Sequence, residues 1–342
     1  MFVMLNNLKL KKMKIISKTL KLLPLFLVVL GLTACSSDDD NGGPTAQTTT
    51  VVDLALATPS LSTLVDALQR ADGDLVTLLG GTGPFTVLAP TNDAFTAFLA
   101  ANNFNSLDDV PTDVLAQILL NHVISGNVTS TDLTNAGSGY TNTNATGPDN
   151  AFLSLYFDTS NGVVFNGVST VSTPNVSATN GTVHIVNAVI DRPTVVTFAT
   201  SNPELSNLVA ALQSADSQNP SPDLIGTLSG NGPFTVFAPT NAAFGDLLLE
   251  LDPTGNTGLG DLDPATVEAV LGIHVVGDNV RSSELTNGTV PTLNGNITID
   301  ATNFTITDPN DRETNIVTTL VDIQGINGVV HVVGRVILPT LE

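Results

Sequence analysis

The chain has 342 residues, with 11 Lys and Arg against 32 Asp and Glu, a formal net charge of −21 at pH 7, one cysteine and no tryptophan. Such an excess of carboxylate excludes nucleic-acid binding, which depends on neutralising phosphates with lysine and arginine. It also keeps the protein soluble in salt and attracts divalent cations.

Residues 1–34 read as an address and not as part of a fold. Lys9, Lys11, Lys12, Lys14, Lys18 and Lys21 precede an apolar run over residues 22–30, and Leu32-Thr33-Ala34-Cys35 follows. A basic start, a short apolar middle and small residues before a cut describe a signal peptide, too short for a spanning helix. The tetrad resembles a bacterial lipobox, in which the cysteine is acylated and becomes the mature N-terminus. Cys35, the single thiol, stands where a lipobox needs it. At ~0.8 kcal/mol per buried CH₂, two or three acyl chains make a permanent anchor. Once that segment is removed no lysine remains, and five arginines against 32 acids leave a formal charge of −27. Ser36-Ser37-Asp38-Asp39-Asp40 resembles the surface-export signal of Bacteroidetes lipoproteins, and residues 35–46 read as an acidic, polar tether. The expected location is the outer membrane, facing the cell surface; a periplasm-facing anchor is the alternative.

Further along, the pattern turns periodic. Thr58-Pro59 places a capping residue before a proline at the first helical position. Leu61, Leu64, Val65 and Leu68 then fall on one helix face. Gly81-Thr-Gly-Pro84 predicts a turn into an extended run over residues 85–89, and Thr91 caps a short helix carrying Ala94, Phe95 and Phe98. A second helix is predicted from Pro111-Thr112 into Asn121-His122. Beyond it Thr, Val, Ile, Asn and Gly alternate, broken at Asn161-Gly162 and Asn166-Gly167, which predicts a meander of short strands.

The same grammar then returns. Gly81-Thr-Gly-Pro-Phe-Thr-Val-Leu-Ala-Pro-Thr-Asn-Asp-Ala-Phe95 recurs as Gly230-Asn-Gly-Pro-Phe-Thr-Val-Phe-Ala-Pro-Thr-Asn-Ala-Ala-Phe244, an offset of 149 residues. Asn202-Pro203, Leu205, Leu208, Val209 and Leu212 repeat the first helix; Asp263-Pro264 opens the second; Asn287-Gly288 and Asn294-Gly295 punctuate the strands. A period of that length is a whole domain and far too long for a solenoid unit. Helices first and strands last predict an α+β fold, not a βαβ alternation. The expected domains are residues 47–192 and 193–342, and the short Asp191-Arg192-Pro193 link predicts a stiff junction.

These blocks resemble tandem fasciclin (FAS1) domains over nearly the whole of both copies. One family block is similar to Phe85-Thr-Val-Leu-Ala-Pro-Thr-Asn-Asp-Ala-Phe95 and its repeat. Another is similar to Gly181-Thr-Val-His-Ile-Val186 and Gly328-Val-Val-His-Val-Val333. The histidine motif between them falls on His122 and His274, with Asn121 and Ile273 where the family usually has tyrosine. The resemblance implies two α+β domains, each a helical N-terminal half packed on a wedge of short strands, secretion or surface display, and adhesion. In animal relatives an Asp-Ile pair before the last block recognises integrins; the aligned positions are Asn175-Val176 and Asp322-Ile323.

The four histidines, His122 with His274 and His184 with His331, occupy repeated positions, which predicts structural roles. His122 and His274 are expected to bond the Thr91-Asn92 and Thr240-Asn241 caps. His184 and His331 alternate with valine and isoleucine, predicting the polar face of a strand. No His or Cys stands at chelating spacing, so no metal site is expected. The loops Asp72-Gly73-Asp74, Asp261-Leu-Asp263 and Asp308-Pro-Asn-Asp311 lack the EF-hand spacing, leaving weak Ca²⁺ binding as the one cation option and no cofactor. The residues offer no Schiff-base lysine after the signal, no Gly-x-Ser-x-Gly elbow and no phosphate loop, so an enzyme is not expected. The leading expectation is adhesion to a cell-surface or matrix protein or glycan, with the lipid on Cys35 holding the membrane. The competing expectations are a polysaccharide-binding module, disfavoured by having only Tyr140 and Tyr156 as tyrosines and no tryptophan, and a cryptic hydrolase.

Overall fold

A computed structural model describes residues 49–340; the predicted signal peptide, Cys35 and the tether over residues 35–46 lie outside the described residues. The first copy contains helices α1 (Val51–Ala57), α2 (Ser62–Arg70), α3 (Leu75–Gly80), α4 (Asn92–Ala101), α5 (Thr112–Leu120) and α6 (Ser130–Ala136). Its strands are β1 (Phe85–Pro90), β2 (Val123–Ser125), β3 (Ser138–Thr146), β4 (Phe152–Asp158), β5 (Val164–Phe165), β6 (Ser169–Ala178) and β7 (Gly181–Val186). The second copy has helices α7 (Val195–Ser201), α8 (Ser206–Asp216), α9 (Leu224–Ser229), α10 (Asn241–Leu251) and α11 (Pro264–Ile273). Its strands are β8 (Phe234–Pro239), β9 (Val275–Val276), β10 (Gly288–Thr292), β11 (Gly295–Asp300), β12 (Thr305–Thr307), β13 (Glu313–Asn315), β14 (Ile323–Gly325) and β15 (Gly328–Val333).

The predicted helix faces are the buried ones. Leu61, Leu64 and Leu68 in copy 1, and Leu205, Leu208 and Leu212 in copy 2, join the helix-side core with Phe95 and Phe244. A second, strand-side core holds Leu88, Leu155, Phe165 and Ile190 in copy 1, and Phe237, Ile297, Ile306 and Ile337 in copy 2. The first-helix cap of copy 1 differs from expectation, whereas Asn202 in copy 2 caps as expected, accepting from the Glu204 N–H at 3.0 Å. A 3₁₀ turn over Pro59–Leu61 precedes α2, and Thr58 makes no side-chain cap bond. Its hydroxyl donates back to the Leu54 carbonyl at 2.7 Å, so the donors of α2 are met from elsewhere.

Seven strands of copy 1 form one sheet in the order β2-β1-β7-β6-β5-β4-β3. In copy 2 the same material splits into β14-β15-β8-β9 and β10-β11-β12-β13. The central pairs, β1 with β7 and β8 with β15, are parallel, in register at Phe85 opposite Gly181 and Phe234 opposite Gly328. The helices-then-strands reading missed this, because β1 comes from the helical half and its partner from the end of the copy. A parallel pair needs such a crossover. Here it also requires glycine: a Cβ on Gly181 would lie 1.9 Å from the Phe85 carbonyl oxygen, and one on Gly328 2.2 Å from that of Phe234.

The two copies pack directly on each other. Tyr140 lies 5.1 Å from Tyr156 and 5.9 Å from Phe198, ring centre to ring centre, and its hydroxyl accepts from Asn202 Nδ2 at 3.1 Å. Burial pushes the Tyr140 phenol up to about 12. The Gln324 N–H donates to Ser154 Oγ at 3.0 Å.

Candidate functional site

His122 stands two residues after α5, its ring wholly inside the protein. Its Nδ1–H donates to the Ile118 carbonyl at 2.8 Å, and Nε2 accepts from the Ile190 N–H at 2.8 Å. His274 repeats this with the Val270 carbonyl at 2.7 Å and the Ile337 N–H at 3.0 Å. Each ring therefore staples a helix end to the segment that leaves its copy. Burial lowers both imidazoles to about 4 despite the opposing carbonyl bond, so they are neutral at pH 7.

The expected bond from these histidines to the Thr-Asn caps is not formed. Thr91 and Thr240 cap their own helices, accepting from the Ala94 and Ala243 N–H groups at 3.3 and 3.2 Å. Asn92 and Asn241 reach instead to the other helix of their copy. Asn92 Oδ1 accepts from the Thr63 N–H at 2.9 Å and its amide donates to the Pro59 carbonyl at 3.1 Å. Asn241 does the same with Asn207 and Pro203, both at 2.9 Å. One dipeptide thus caps two helices, supplying what Thr58 does not.

His184 and His331 correct the sequence expectation outright: both are fully buried, because the central strand is covered on both faces and has no polar side. Each Nε2–H donates to a carbonyl, Val128 at 3.0 Å or Val280 at 2.9 Å. Each Nδ1 accepts, at 3.3 Å, the N–H of the residue aligned with the recognition pair: Asn175 in copy 1, Asp322 in copy 2.

Those two residues share a left-handed backbone, φ 59° and 56°, which Asn and Asp tolerate better than most side chains. Their side chains do the same local work. Asn175 Oδ1 accepts from the Ser130 N–H at 2.9 Å, and its amide donates to Ser130 Oγ at 2.7 Å. The Asp322 carboxylate accepts from the Ser282 N–H at 2.7 Å and Ser282 Oγ at 2.6 Å, with the Arg281 guanidinium 3.8 Å away. The Asp322 side chain keeps 23% of its surface in solvent, whereas Ile323 retains only 2%. Val176 is half-buried against the helix-side core, and Asn175 is exposed.

The sequence reading passed over Asn180 and Asn327, one residue before the close-approach glycines. Asn180 Oδ1 accepts from the Val51 N–H at 2.9 Å, and its amide bridges the Leu79 and Gly81 carbonyls, both at 2.8 Å. Asn327 repeats this with Val195 at 3.0 Å and with Leu228 and Gly230 at 2.8 Å. The signal was the shared Asn-Gly opening both final blocks.

The acidic loops do turn and cap chemistry. Asp263 caps α11 through the Thr266 N–H at 3.0 Å, and Asp261 accepts from the Gly258 N–H at 2.8 Å. Asp308 accepts N–H bonds from Asn310, Arg312 and Leu338 at 2.9, 3.0 and 3.1 Å. No group of three or more His, Cys, Asp or Glu side chains among the described residues is placed to hold a metal ion. The cavities beside His122 and His274 measure about 20 and 40 Å³ and are otherwise almost wholly apolar, room for packing defects and not for a substrate.

Compared with known proteins, the fasciclin domain family model matches this chain twice, over residues 59–192 and 203–339. Protein sll1483 of Synechocystis sp. is 35% identical over 144 residues, 42% of this chain and 74% of that protein. Periostin of Homo sapiens is 29% identical over 266 residues, 76% of this chain but 29% of periostin. Cell surface glycolipoprotein MPB83 of Mycobacterium bovis is 39% identical over 101 residues, 30% of this chain and 42% of that protein. Among solved structures, a FAS1 domain pair from the insect cell adhesion molecule fasciclin I aligns with 83% of this chain and 97% of its own, at TM-score 0.47 and 19% identity.

Proposed function

Because the chain belongs to the fasciclin domain family, with two domains in tandem, we propose that it is a surface-anchored lipoprotein that mediates adhesion to neighbouring cells or matrix. The observation that carries this reading is the duplication itself: two fasciclin domains, matched over residues 59–192 and 203–339 and packed together as one block. Paired modules on one tether, many tethers per cell, add weak contacts into avidity without a deep pocket. The likeness to a protein named a cell surface glycolipoprotein supports the anchored, outward-facing part. A lipid on Cys35 is, in this reading, the anchor, and residues 35–46 are the tether that joins it to the two domains.

In this reading the reachable contact of the recognition-like pair is the Asp322 carboxylate, with Asn175 its uncharged counterpart in copy 1; Ile323 and Val176 face inward and set their position. A matrix-protein and glycan array with soluble residues 47–342 tests the assignment. Retention on proteins supports adhesion, and retention on glycans alone supports the polysaccharide-binding alternative instead.

A further inference from the structure

The end of each copy that carries its Gly-Pro turn also carries a polar crevice, and in copy 2 the other copy completes it. In copy 1 the crevice beside Gly83 and Pro84 is open and about 440 Å³. In copy 2 the matching crevice, beside Gly232 and Pro233, is about 610 Å³ and gains Pro148 and Asp149 from the loop between β3 and β4 of copy 1. That loop is held close: a Cβ on Gly147 would lie 2.9 Å from the Gly325 carbonyl oxygen of copy 2.

Two further differences separate the copies. Gly126 of copy 1 is replaced by Asp278 in copy 2, so carboxylates from both copies line the crevice. Asn127 of copy 1 is exposed, its Oδ1 accepting from Thr182 Oγ1 at 2.5 Å. The equivalent Asn279 is 8% exposed and lines the crevice wall. Its Oδ1 accepts from Gln324 Nε2 at 3.0 Å, and the Gln324 amide is itself oriented by the Gly325 and Gly328 carbonyls, both at 3.0 Å. That network fixes which way Asn279 points and leaves its Nδ2 donor without a hydrogen-bond partner among the described residues. A buried donor so left over calls for an acceptor.

We propose that this inter-copy crevice binds an extended segment of a partner protein that carries lysine or arginine. The cation lies between Asp149 and Asp278, and a main-chain carbonyl of the segment accepts from Asn279 Nδ2. The crevice size suits a few residues of extended chain. No aromatic ring lines it, so the stacking surface that a sugar face uses is missing, while two carboxylates on a chain of net charge −21 favour a cation. Neither copy alone contains the complete site. The assignment rests on the adhesion reading above and gives it a partner chemistry.

The probe is a labelled acetyl-Gly-Arg-Gly-Arg-Gly-amide, titrated by fluorescence polarisation against the full mature chain in detergent at about 0.15 M salt, where long-range attraction is screened. Saturable binding is expected, weakened about tenfold or more in the Asp149→Asn, Asp278→Gly double variant. The double variant Asp66→Asn, Asp246→Asn, the same loss of two charges at exposed sites elsewhere, should change it less than about twofold. Absence of saturable binding, equal binding by the crevice variant and the parent, or equal losses in both variants would each overturn the proposal. Displacement of the peptide by a neutral trisaccharide such as maltotriose would overturn it in favour of a glycan. Cell adhesion assayed in parallel keeps the two ideas apart. Adhesion that survives while the parent binds no peptide sinks the crevice alone, and peptide binding without adhesion sinks the adhesion reading alone.

Discussion

Replacing His122 by alanine tests the histidine staple at its most exposed assumption, that the ring acts as a neutral acceptor. The substitution strands the Ile190 N–H and the Ile118 carbonyl, both inside the protein. An unsatisfied buried group costs roughly 1–3 kcal/mol, and the cavity left by the ring adds to it, so a loss of about 3–5 kcal/mol at pH 7 is expected. The pH dependence is the sharper part. Burial lowers the imidazole from 6.5 to about 4, so between those values the unfolded chain binds a proton that the folded one refuses. Stability therefore rises with pH across that window; it is complete above about 6.5 and falls as pH drops toward 4. At 1.36 kcal/mol per pH unit the wild type gives up roughly 3 kcal/mol there on account of this ring. The alanine variant has no such ring, so its deficit should shrink by that amount between pH 7 and 4. Urea unfolding of both proteins at several pH values measures it. Parallel pH profiles would refute the neutral-acceptor assignment, and an unchanged midpoint at pH 7 would refute the staple itself.

Gly232→Ala should prevent folding of copy 2 or cost well over 4 kcal/mol, because the added Cβ would lie 1.9 Å from the Asn327 carbonyl oxygen; soluble yield and melting temperature report it. Cys35→Ala should release the protein from membranes or leave its precursor uncut, and fractionation with lipid labelling equal to wild type would refute the anchor. Asp322→Asn, which installs the copy 1 residue type, should cost under about 1 kcal/mol yet lower adhesion severalfold; undiminished adhesion would make Asp322 an internal cap only.

Local grammar carried much of the fold into the sequence. The apolar faces of α2 and α8 follow helical spacing, and Asn294-Gly295 turns β10 into β11, because both depend on neighbours in the chain. Two kinds of feature escaped. Helices α1 and α6 carry capping boxes, Thr50 with Asp53 and Thr129 with Asp132, yet they are only seven residues long and too brief to show a period. The parallel pairing of β1 with β7 joins segments almost a hundred residues apart, which no local pattern encodes. The site residues divide the same way. The repetition of all four histidines signalled shared work in both copies, but their partners, Ile190, Ile337, Asn175 and Asp322, are brought to them only by tertiary packing. His184 and His331 misled because alternation marks a polar face only where a strand has one side in water.

Attachment of cells carrying the chain to immobilised matrix proteins and to neighbouring cells, before and after mild protease treatment of the intact surface, tests the central claim most directly. Cells with the full chain should attach severalfold better than cells lacking it, and protease should remove both the epitope and the advantage together. Equal attachment with and without the chain, or an advantage that persists after the epitope is shaved away, would contradict a surface adhesin.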